Sequence, residues 1–568
     1  MVSRFMVVAV ACMAAAAAAA QSSLRQSGSR KITVDATTTV GTLRSLQGVD
    51  GAPGPGGHKP RSFKFGGWNM ADNVDATVGY RLARIDLVRT HDGYGPADID
   101  AKFETAQAPG GALISAKRDA LTLFPNPAAD PDNPASYRFG PTDRLITSIK
   151  NAGAGVLFRL GRSEGADPTP PADFAGYAAI AKHLVLHYNR GWGNGFHYNI
   201  RYWEVWNEPD LGQLFWKGTE QQYFELYRRI AQAVKEADPH ALVGAPAIAR
   251  PNDESPYRDE FMRQVRATHT ALDFYSWHWY ATDSNDPRDF NRIAQDLRMR
   301  LDGYGLTATK SFLTEWNYGL SDSPPSPLVR ASFITSALIY MQDAPIDVAT
   351  LYRADNVFGS DGKTPDKTGQ ALIALGRMKD TPQRLQVSGG DSDGLAVEAG
   401  RSNDGRMLRV LISNYQIPAQ LLGRRSGEDV LRVPHVFEVR LLPRRDVEYR
   451  DNGGFDLTIA HLPTDRSYVL EHCRITEEKD DRSVTGTQWR KSHEAPMGRR
   501  GTAGEIPRSA SGATRDNSQL ESTVIAPGQP VHLHEDLPPP GVELVTIREL
   551  PQGASAPAPR AESRCGAQ

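Results

Sequence analysis

Arg201-Tyr-Trp-Glu-Val-Trp-Asn-Glu-Pro-Asp210 is an apolar run too short for a helix, and it stops abruptly at Asn207-Glu208-Pro209. Proline cannot continue a sheet ladder and biases the residue before it toward extended geometry, so Glu208 is expected where a strand gives way to a loop. A carboxylate at the mouth of a buried strand costs free energy unless it has a task or a partner there. Whether Glu208 has one depends on what the other strands bring to the same place.

Apolar, strand-like runs recur at Ala83–Val88, Gly155–Leu160, Tyr202–Trp206, Ala241–Ala245, Phe274–Trp277, Ser311–Thr314 and Val348–Tyr352. Helix-period stretches lie between them, among them Thr142–Asn151, Phe174–Tyr188, Glu220–Ala237 and Leu328–Met341. Strands alternating with helices predict βα units and a parallel sheet. A further strand near Ser45–Val49 completes the set of a (β/α)8 TIM barrel. An open doubly wound sheet is the alternative, although no glycine-rich dinucleotide turn follows an early strand.

Past about Lys379 the period changes. Gly394–Ala399 and Arg406–Ser413 alternate around Asn403-Asp404-Gly405, a hairpin turn signal, and Val436–Leu442, Asp456–Leu462, Tyr468–Arg474 and Val542–Leu550 follow without helices. This half reads as a C-terminal antiparallel β-sandwich. The expected division is a signal peptide at 1–20, a leader and strand joining the sandwich at 21–44, the barrel at 45–380, the sandwich at 381–551 and a Pro/Ala-rich tail at 552–568.

Barrel enzymes carry catalytic groups at the C-terminal ends of their strands. Here those ends hold Arg89-Thr90-His91-Asp92, Arg162-Ser163-Glu164, Asn207-Glu208, His278-Trp279-Tyr280, Glu315-Trp316-Asn317 and Arg353-Ala354-Asp355. Glu208 closes the fourth strand and Glu315 the seventh, so the two face each other across the mouth. Carboxylates paired over a cleft suit glycosidic bond cleavage, in which one donates a proton and the other attacks or stabilises an oxocarbenium ion. Neighbouring Trp, Tyr and His side chains offer flat faces and hydroxyl partners to a sugar. The competing reading places both glutamates in structural ion pairs with Arg89 and Arg353.

With Trp203–Asp210 reading WEVWNEPD and Thr314-Glu315-Trp316-Asn317 beyond it, the chain resembles clan A glycoside hydrolases, most closely glycoside hydrolase family 39. That family holds β-xylosidases, α-L-iduronidases and some exopolysaccharide-cleaving enzymes. Val88–His91, Asp273–His278 and Asp355–Phe358 extend the resemblance, as do Tyr468–Arg474, Trp489, Pro496 and Leu537-Pro538-Pro539. It covers most of 31–550 and implies that Glu477–Ser522, a loop by composition, is an ordered excursion.

The resemblance implies a retaining double displacement with Glu208 as acid/base and Glu315 as nucleophile, needing no metal or organic cofactor. Asn207 would hold the hydroxyl beside the anomeric carbon. His91, His278 and Tyr280 would line the −1 subsite, with Trp316 and Asp355 as further substrate-binding candidates. The implied function is a β-xylosidase-like exo-hydrolase. Its alternatives are an endo-acting hydrolase of a bacterial or plant polysaccharide, a uronide-specific α-L-iduronidase-like enzyme and, in another class, a non-catalytic carbohydrate-binding protein. Tyr280 stands where the iduronidase branch has a lysine, which leaves Arg162 or Arg353 to meet a uronate. The long Phe103–Pro134 loop has no family counterpart and is expected to shape the cleft.

Composition narrows the partners. The 65 basic and 67 acidic residues give a formal net charge of −2, so no global field draws the chain to nucleic acid or an anionic membrane. Arg4 precedes an apolar stretch ending on Ala18-Ala19-Ala20, which reads as a secretory signal and predicts a secreted or periplasmic protein. No later segment reaches membrane-spanning length. Of the two cysteines beyond the signal, Cys473 and Cys565 either pair or stand as free thiols. His183 and His187 have zinc-helix spacing but lack the metalloprotease glutamate, and the stretch reads as a barrel helix. Oligomeric state stays open.

Overall fold

The computed structural model describes residues 29–54, 64–65, 68–69, 74–103, 119–252, 256–281, 285–318, 325–354, 357–359, 361–390, 395–417, 430–433, 437–440, 454–477 and 521–551. The expectations for the signal at 1–20, the tail, Asp355, Cys565, Trp489 and Pro496 lie outside these residues, as does most of Glu477–Ser522 and part of the Phe103–Pro134 loop.

The chain enters on β1 (Arg30–Thr42) and β2 (Gly48–Asp50) and passes a small hairpin, β3 (Lys64–Phe65) and β4 (Trp68–Asn69). Strand then alternates with helix through β5 (Leu87–Arg89), β6 (Gly155–Leu160), β7 (Tyr202–Val205), β8 (Leu242–Ile248), β9 (Phe274–Ala281), β10 (Lys310–Tyr318) and β11 (Val348–Leu351). Strands β2 and β5 to β11 form a closed parallel barrel, and the pairing of Leu351 on β11 with Val49 on β2 shuts the ring, which excludes the open sheet.

The helices form for reasons visible in their residues. Glu220–Ala237 opens on a reciprocal Thr219/Gln222 capping box, worth about 1 kcal/mol, and buries Tyr223, Leu226, Tyr227, Ile230 and Val234 along one stripe. Phe174–Arg190 begins on the Asp173 side chain and ends on Gly191 at φ 78°, a left-handed cap. Its His183 and His187 nitrogens are held by the Ala179 and Trp192 carbonyls and by Asp143, as in a packed barrel helix.

Three strand boundaries depart clearly from expectation. Where Ala83–Val88 was expected as strand, a helix, Thr77–Leu82, finishes first, Arg84 turns at φ 52°, and β5 starts only at Leu87. Conversely β9 and β10 run past Trp277 and Thr314 to Ala281 and Tyr318. His278, Tyr280 and Glu315 are therefore held inside a paired ladder, with Glu315 opposite His278 and Asn317 opposite Tyr280.

The second domain contains β12 (Gln383–Gly389), β13 (Leu395–Arg401), β14 (Met407–Asn414), a separate hairpin of β15 (Val430–Val433) with β16 (Phe437–Arg440), then β17 (Gly454–Ala460), β18 (Tyr468–Ile475), β19 (Glu521–Ile525), β20 (Val531–Asp536) and β21 (Gly541–Glu549). Nine strands share one sheet in the order β19-β18-β21-β14-β13-β12-β1-β17-β20. The sheet is antiparallel except where β1 runs parallel to β17, because β1 arrives from the far end of the chain. Far ends of that order meet, since Arg474 on β18 pairs with Glu535 on β20. The sheet thus folds over one core that includes Ile32, Val410, Leu457, Leu470 and Val545.

The Pro327–Met341 helix joins the two domains. Apolar on nearly every side, it packs on the barrel through Phe333 and Ile334 and on the sheet domain through Leu328, Ala331 and Ile339. Ser332 Oγ donates to the Asn414 carbonyl and Ser413 Oγ to the Ser332 carbonyl, satisfying buried polar groups across the seam. Cys473, in β18, is disulfide-bonded. No described helix is long and apolar enough to cross a membrane.

Candidate active site

Period two along β7 stacks Trp203 on Phe158 of the neighbouring β6 and sends Glu204 into the barrel, where it is fully buried. The chain then leaves the strand through two non-glycine residues in the left-handed region, Trp206 at φ 71° and Glu208 at φ 41°. Extended geometry was expected for Glu208. Its N–H donates instead to the Ala247 carbonyl at 3.0 Å, and Pro209 opens a 3-10 turn, Pro209–Leu214. Asp210 accepts the N–H groups of Ala249 and Arg250, tying the turn to the end of β8. Each left-handed residue costs about 1–3 kcal/mol, which the surrounding hydrogen bonds must offset.

Arg89 is the hub of the floor. Fully buried at the end of β5, it donates to Glu204 at 2.6 Å, Glu315 at 3.0 Å, Asp50 at 3.1 Å and Asn207 Oδ1 at 2.8 Å. Glu315 also accepts from the Tyr280 hydroxyl, with His91 Nε2 at 3.8 Å and His278 Nδ1 at 3.7 Å. Glu208 pairs with His278 Nδ1 at 2.8 Å. One donor atom each of Glu208, His278 and Glu315 lies within 4.8 Å of the other two. The structural ion-pair alternative holds for one half only. Arg89 is bonded to Glu315, while Arg353 donates to the Asp92 carbonyl and pairs with neither glutamate among the described contacts.

The two carboxyls are held differently. Burial pushes Glu208 well above the usual carboxylate range, and the charges of Glu315 and Asp210 push the same way against Arg89. Burial also raises Glu315, to about 7, but Arg89 and the Tyr280 hydroxyl favour its ionised form while Asp92 opposes it. A single proton shared by this pair therefore rests on Glu208. Burial, with Arg89 beyond it, keeps His91 and His278 neutral.

Several buried polar atoms in the site have no partner among the described residues: Asn207 Nδ2, His91 Nδ1 and His278 Nε2. Groups this dry are normally paired, so these are available to a ligand. The site thus gathers Glu208, Glu315, Asn207, His91, His278 and Tyr280. Trp316 is not among them. One residue beyond an inward-facing Glu315, it turns outward and packs fully buried at 5.1 Å from Phe290 in the helix layer.

Sequence reasoning passed over Asp50 and Glu204 as members of the floor, and over Tyr352, whose hydroxyl donates to Asp92 at 2.7 Å. Glu204 carried a signal: a charge on the inward period of an otherwise apolar strand needs a buried cation. Glu208, His278 and Glu315, and separately His472, Glu535 and Glu543, have donor types suited to a metal ion. In both sets an arginine already bonds a carboxylate, Arg89 in the first and Arg474 in the second, so a cation would compete with it.

The sequence profile of the glycosyl hydrolases family 39 matches residues 162–341, a span holding Glu208, His278 and Glu315. A β-xylosidase of Caldicellulosiruptor saccharolyticus is 28% identical over 302 residues, 46% of this chain, and the match spans 58% of that enzyme. The crystal structure of a glucosidase from Croceicoccus marinus superposes with a TM-score of 0.73 at 30% identity, over 92% of this chain and 100% of the other. A monomeric β-xylosidase from Caulobacter crescentus, with a TM-score of 0.56 at 15% identity over 92% of this chain and 100% of the other, shares the fold. A match over the segment that carries both carboxylates, joined to a full-length superposition at 30% identity, is what shared descent produces, and the chain belongs to glycosyl hydrolase family 39.

Proposed function

We propose that the protein is a retaining exo-glycosidase acting on uncharged β-glycosides, β-xylosides first. The observation that carries this is the short gap between the carboxyls, with oxygens of Glu208 and Glu315 within 4.8 Å. Retaining glycosidases need carboxyls about 5–5.5 Å apart, whereas inverting ones leave about 6.5–9.5 Å for a water. Glu208 protonates the departing glycosidic oxygen while Glu315, ionised by Arg89 and Tyr280, attacks the anomeric carbon. Water then releases the sugar from Glu315 with Glu208 taking up the proton. Asn207, its Oδ1 fixed by Arg89, keeps Nδ2 for the neighbouring hydroxyl.

β-Xylosides lead because the Caldicellulosiruptor enzyme carries that activity in its name. β-Glucosides are the second reading, favoured by the full-length likeness to the Croceicoccus glucosidase. The uronide reading loses support because Arg162 is bidentate on Asp100 at 2.7 Å and Arg353 serves the Asp92 carbonyl. The proposal includes export. The Ala-rich leader reads as a signal, and the disulfide of Cys473 is at home in an oxidising compartment.

Proton NMR of the first product from 4-nitrophenyl β-D-xyloside tests the mechanism. The β anomer is expected before mutarotation, and the α anomer appearing first would mean inversion. N-terminal sequencing of exported protein is expected to begin at Gln21, and retention in the cytoplasm with Met1 intact would reject export.

A further inference from the structure

Glu164 lies beyond the end of β6, partly exposed at the barrel mouth. Its backbone is tied to the wall of the site: the Glu164 N–H donates to Asp92 Oδ1 at 2.9 Å, and the other Asp92 oxygen accepts from Tyr352. His91 bridges the remaining gap, with Nε2 at 3.3 Å from Asp92 and 3.8 Å from Glu315. The Glu164 carboxyl itself differs from its neighbours. Asp50, Glu204 and Glu315 bond Arg89, Asp98 bonds Arg159, Asp100 bonds Arg162, and Glu208 pairs with His278. Among the described contacts the Glu164 carboxyl has neither a hydrogen bond nor an ion pair.

We propose that Glu164 is a substrate-binding residue that takes hydroxyls of an uncharged sugar and makes the site select neutral glycosides over uronides. A partly exposed carboxyl with no bonded protein partner keeps its donor and acceptor capacity for a ligand hydroxyl. Burial, followed by the charges of Asp92 and Glu315, lifts its pKa to about 8, so near neutrality it carries a proton and both donates and accepts, as a hydroxyl partner should. A uronate would gain no cation from Glu164, which is uncharged near neutrality, and would face the Glu315 carboxylate on a side where Arg89, Arg159 and Arg162 are already bonded to carboxylates. The inference rests on the glycosidase reading above and adds to it a residue in the turn after β6 that neither the acid nor the nucleophile requires.

The test compares wild type with Glu164→Ala, Glu164→Gln and Glu164→Lys on 4-nitrophenyl β-D-xyloside, β-D-glucoside and β-D-glucuronide, alongside calorimetric titration of xylose and glucose. Glu164→Ala is expected to lower kcat/KM on the neutral substrates about 10–100-fold, mainly through KM, the size of a lost hydrogen bond to an ionisable group. Glu164→Gln, which keeps a donor and an acceptor, should recover most of that loss, and Glu164→Lys should raise the glucuronide-to-xyloside ratio at least about tenfold. If Glu164→Ala, with an unchanged circular dichroism spectrum, leaves KM and sugar affinity within about twofold of wild type, the assignment is overturned. If wild type hydrolyses nothing yet binds xylose or glucose in a Glu164-dependent way, the hydrolase reading fails and the Glu164 assignment stands. If wild type binds neither sugar, both fail.

Discussion

Two clusters in this molecule are built from one histidine and two glutamates. In the barrel, Glu208, His278 and Glu315 bring their donor atoms within 4.8 Å, and in the sheet domain His472, Glu535 and Glu543 do the same. They differ in how the arginine is placed. Arg474 hydrogen-bonds Glu535 and forms an ion pair with Glu543 at 3.3 Å, so one cation serves both carboxyls and the sheet cluster joins β18, β20 and β21. Arg89 bonds Glu315 and leaves Glu208 to His278. One carboxyl is thereby favoured as an anion and the other as an acid. Beside them, Asn207, His91 and His278 keep unpaired atoms at the barrel mouth. Residue type and proximity are common to both clusters, and the asymmetry of the cation is what suits the first to chemistry.

The hardest blow to this contrast falls on Glu315. Glu315→Ala is expected to lower kcat by at least about 10⁴-fold, with partial recovery on adding azide or formate, which substitutes for the nucleophile. Turnover near wild type would remove Glu315 from the chemistry. Glu208→Gln should cost about 10²–10⁴-fold on substrates with poor leaving groups and far less on 2,4-dinitrophenyl glycosides, since only the former need a proton. Equal losses on both would deny Glu208 the acid role.

The sheet cluster should respond in stability instead. Glu543→Ala leaves His472 and Arg474 short of a buried partner and should lower unfolding free energy by about 2 kcal/mol in urea titration, below the figure for a wholly buried pair because Arg474 is 33% exposed. Its kcat/KM should stay within about threefold of wild type, and a larger fall would mean that the two clusters are coupled.

The smallest effect is on pH dependence. Glu315 must be ionised to attack, so kcat/KM should fall about tenfold per unit as pH drops below about 7. Glu208 must be protonated, so activity should fall again as pH rises through its raised pKa. Glu208→Gln should abolish the alkaline limb and keep the acid one. The opposite pattern would exchange the two roles.

Much of this was legible beforehand where the signal is local. The β7 and β8 runs and the Glu220–Ala237 helix follow from apolar period and a capping box, and Glu208 and Glu315 stood out as charges at apolar strand ends. The sheet domain was harder. β12, β15, β19 and β20 escaped notice, and β20 shows why. Its Val531-His-Leu-His-Glu-Asp536 alternates, but an edge strand with one exposed face needs little hydrophobic content. Trp316 was a substrate-binding candidate, but side chains alternate across a strand, and next to an inward-facing Glu315 it turns outward. The left-handed turn at Glu208 ran against the usual effect of a following proline, and it depends on the Ala247 carbonyl, which only folding brings near.

What the residues determined by themselves is the kind of each element and the presence of two carboxylates, because helix and strand periods, caps and turn residues act over a few positions. The tertiary structure decided which carboxylate keeps the proton. That depends on Arg89 meeting Glu315 from 226 residues away and Glu204 from 115, while Glu208 turns to His278. Electrostatic interactions fall with distance in space and not along the chain, so no local pattern records them.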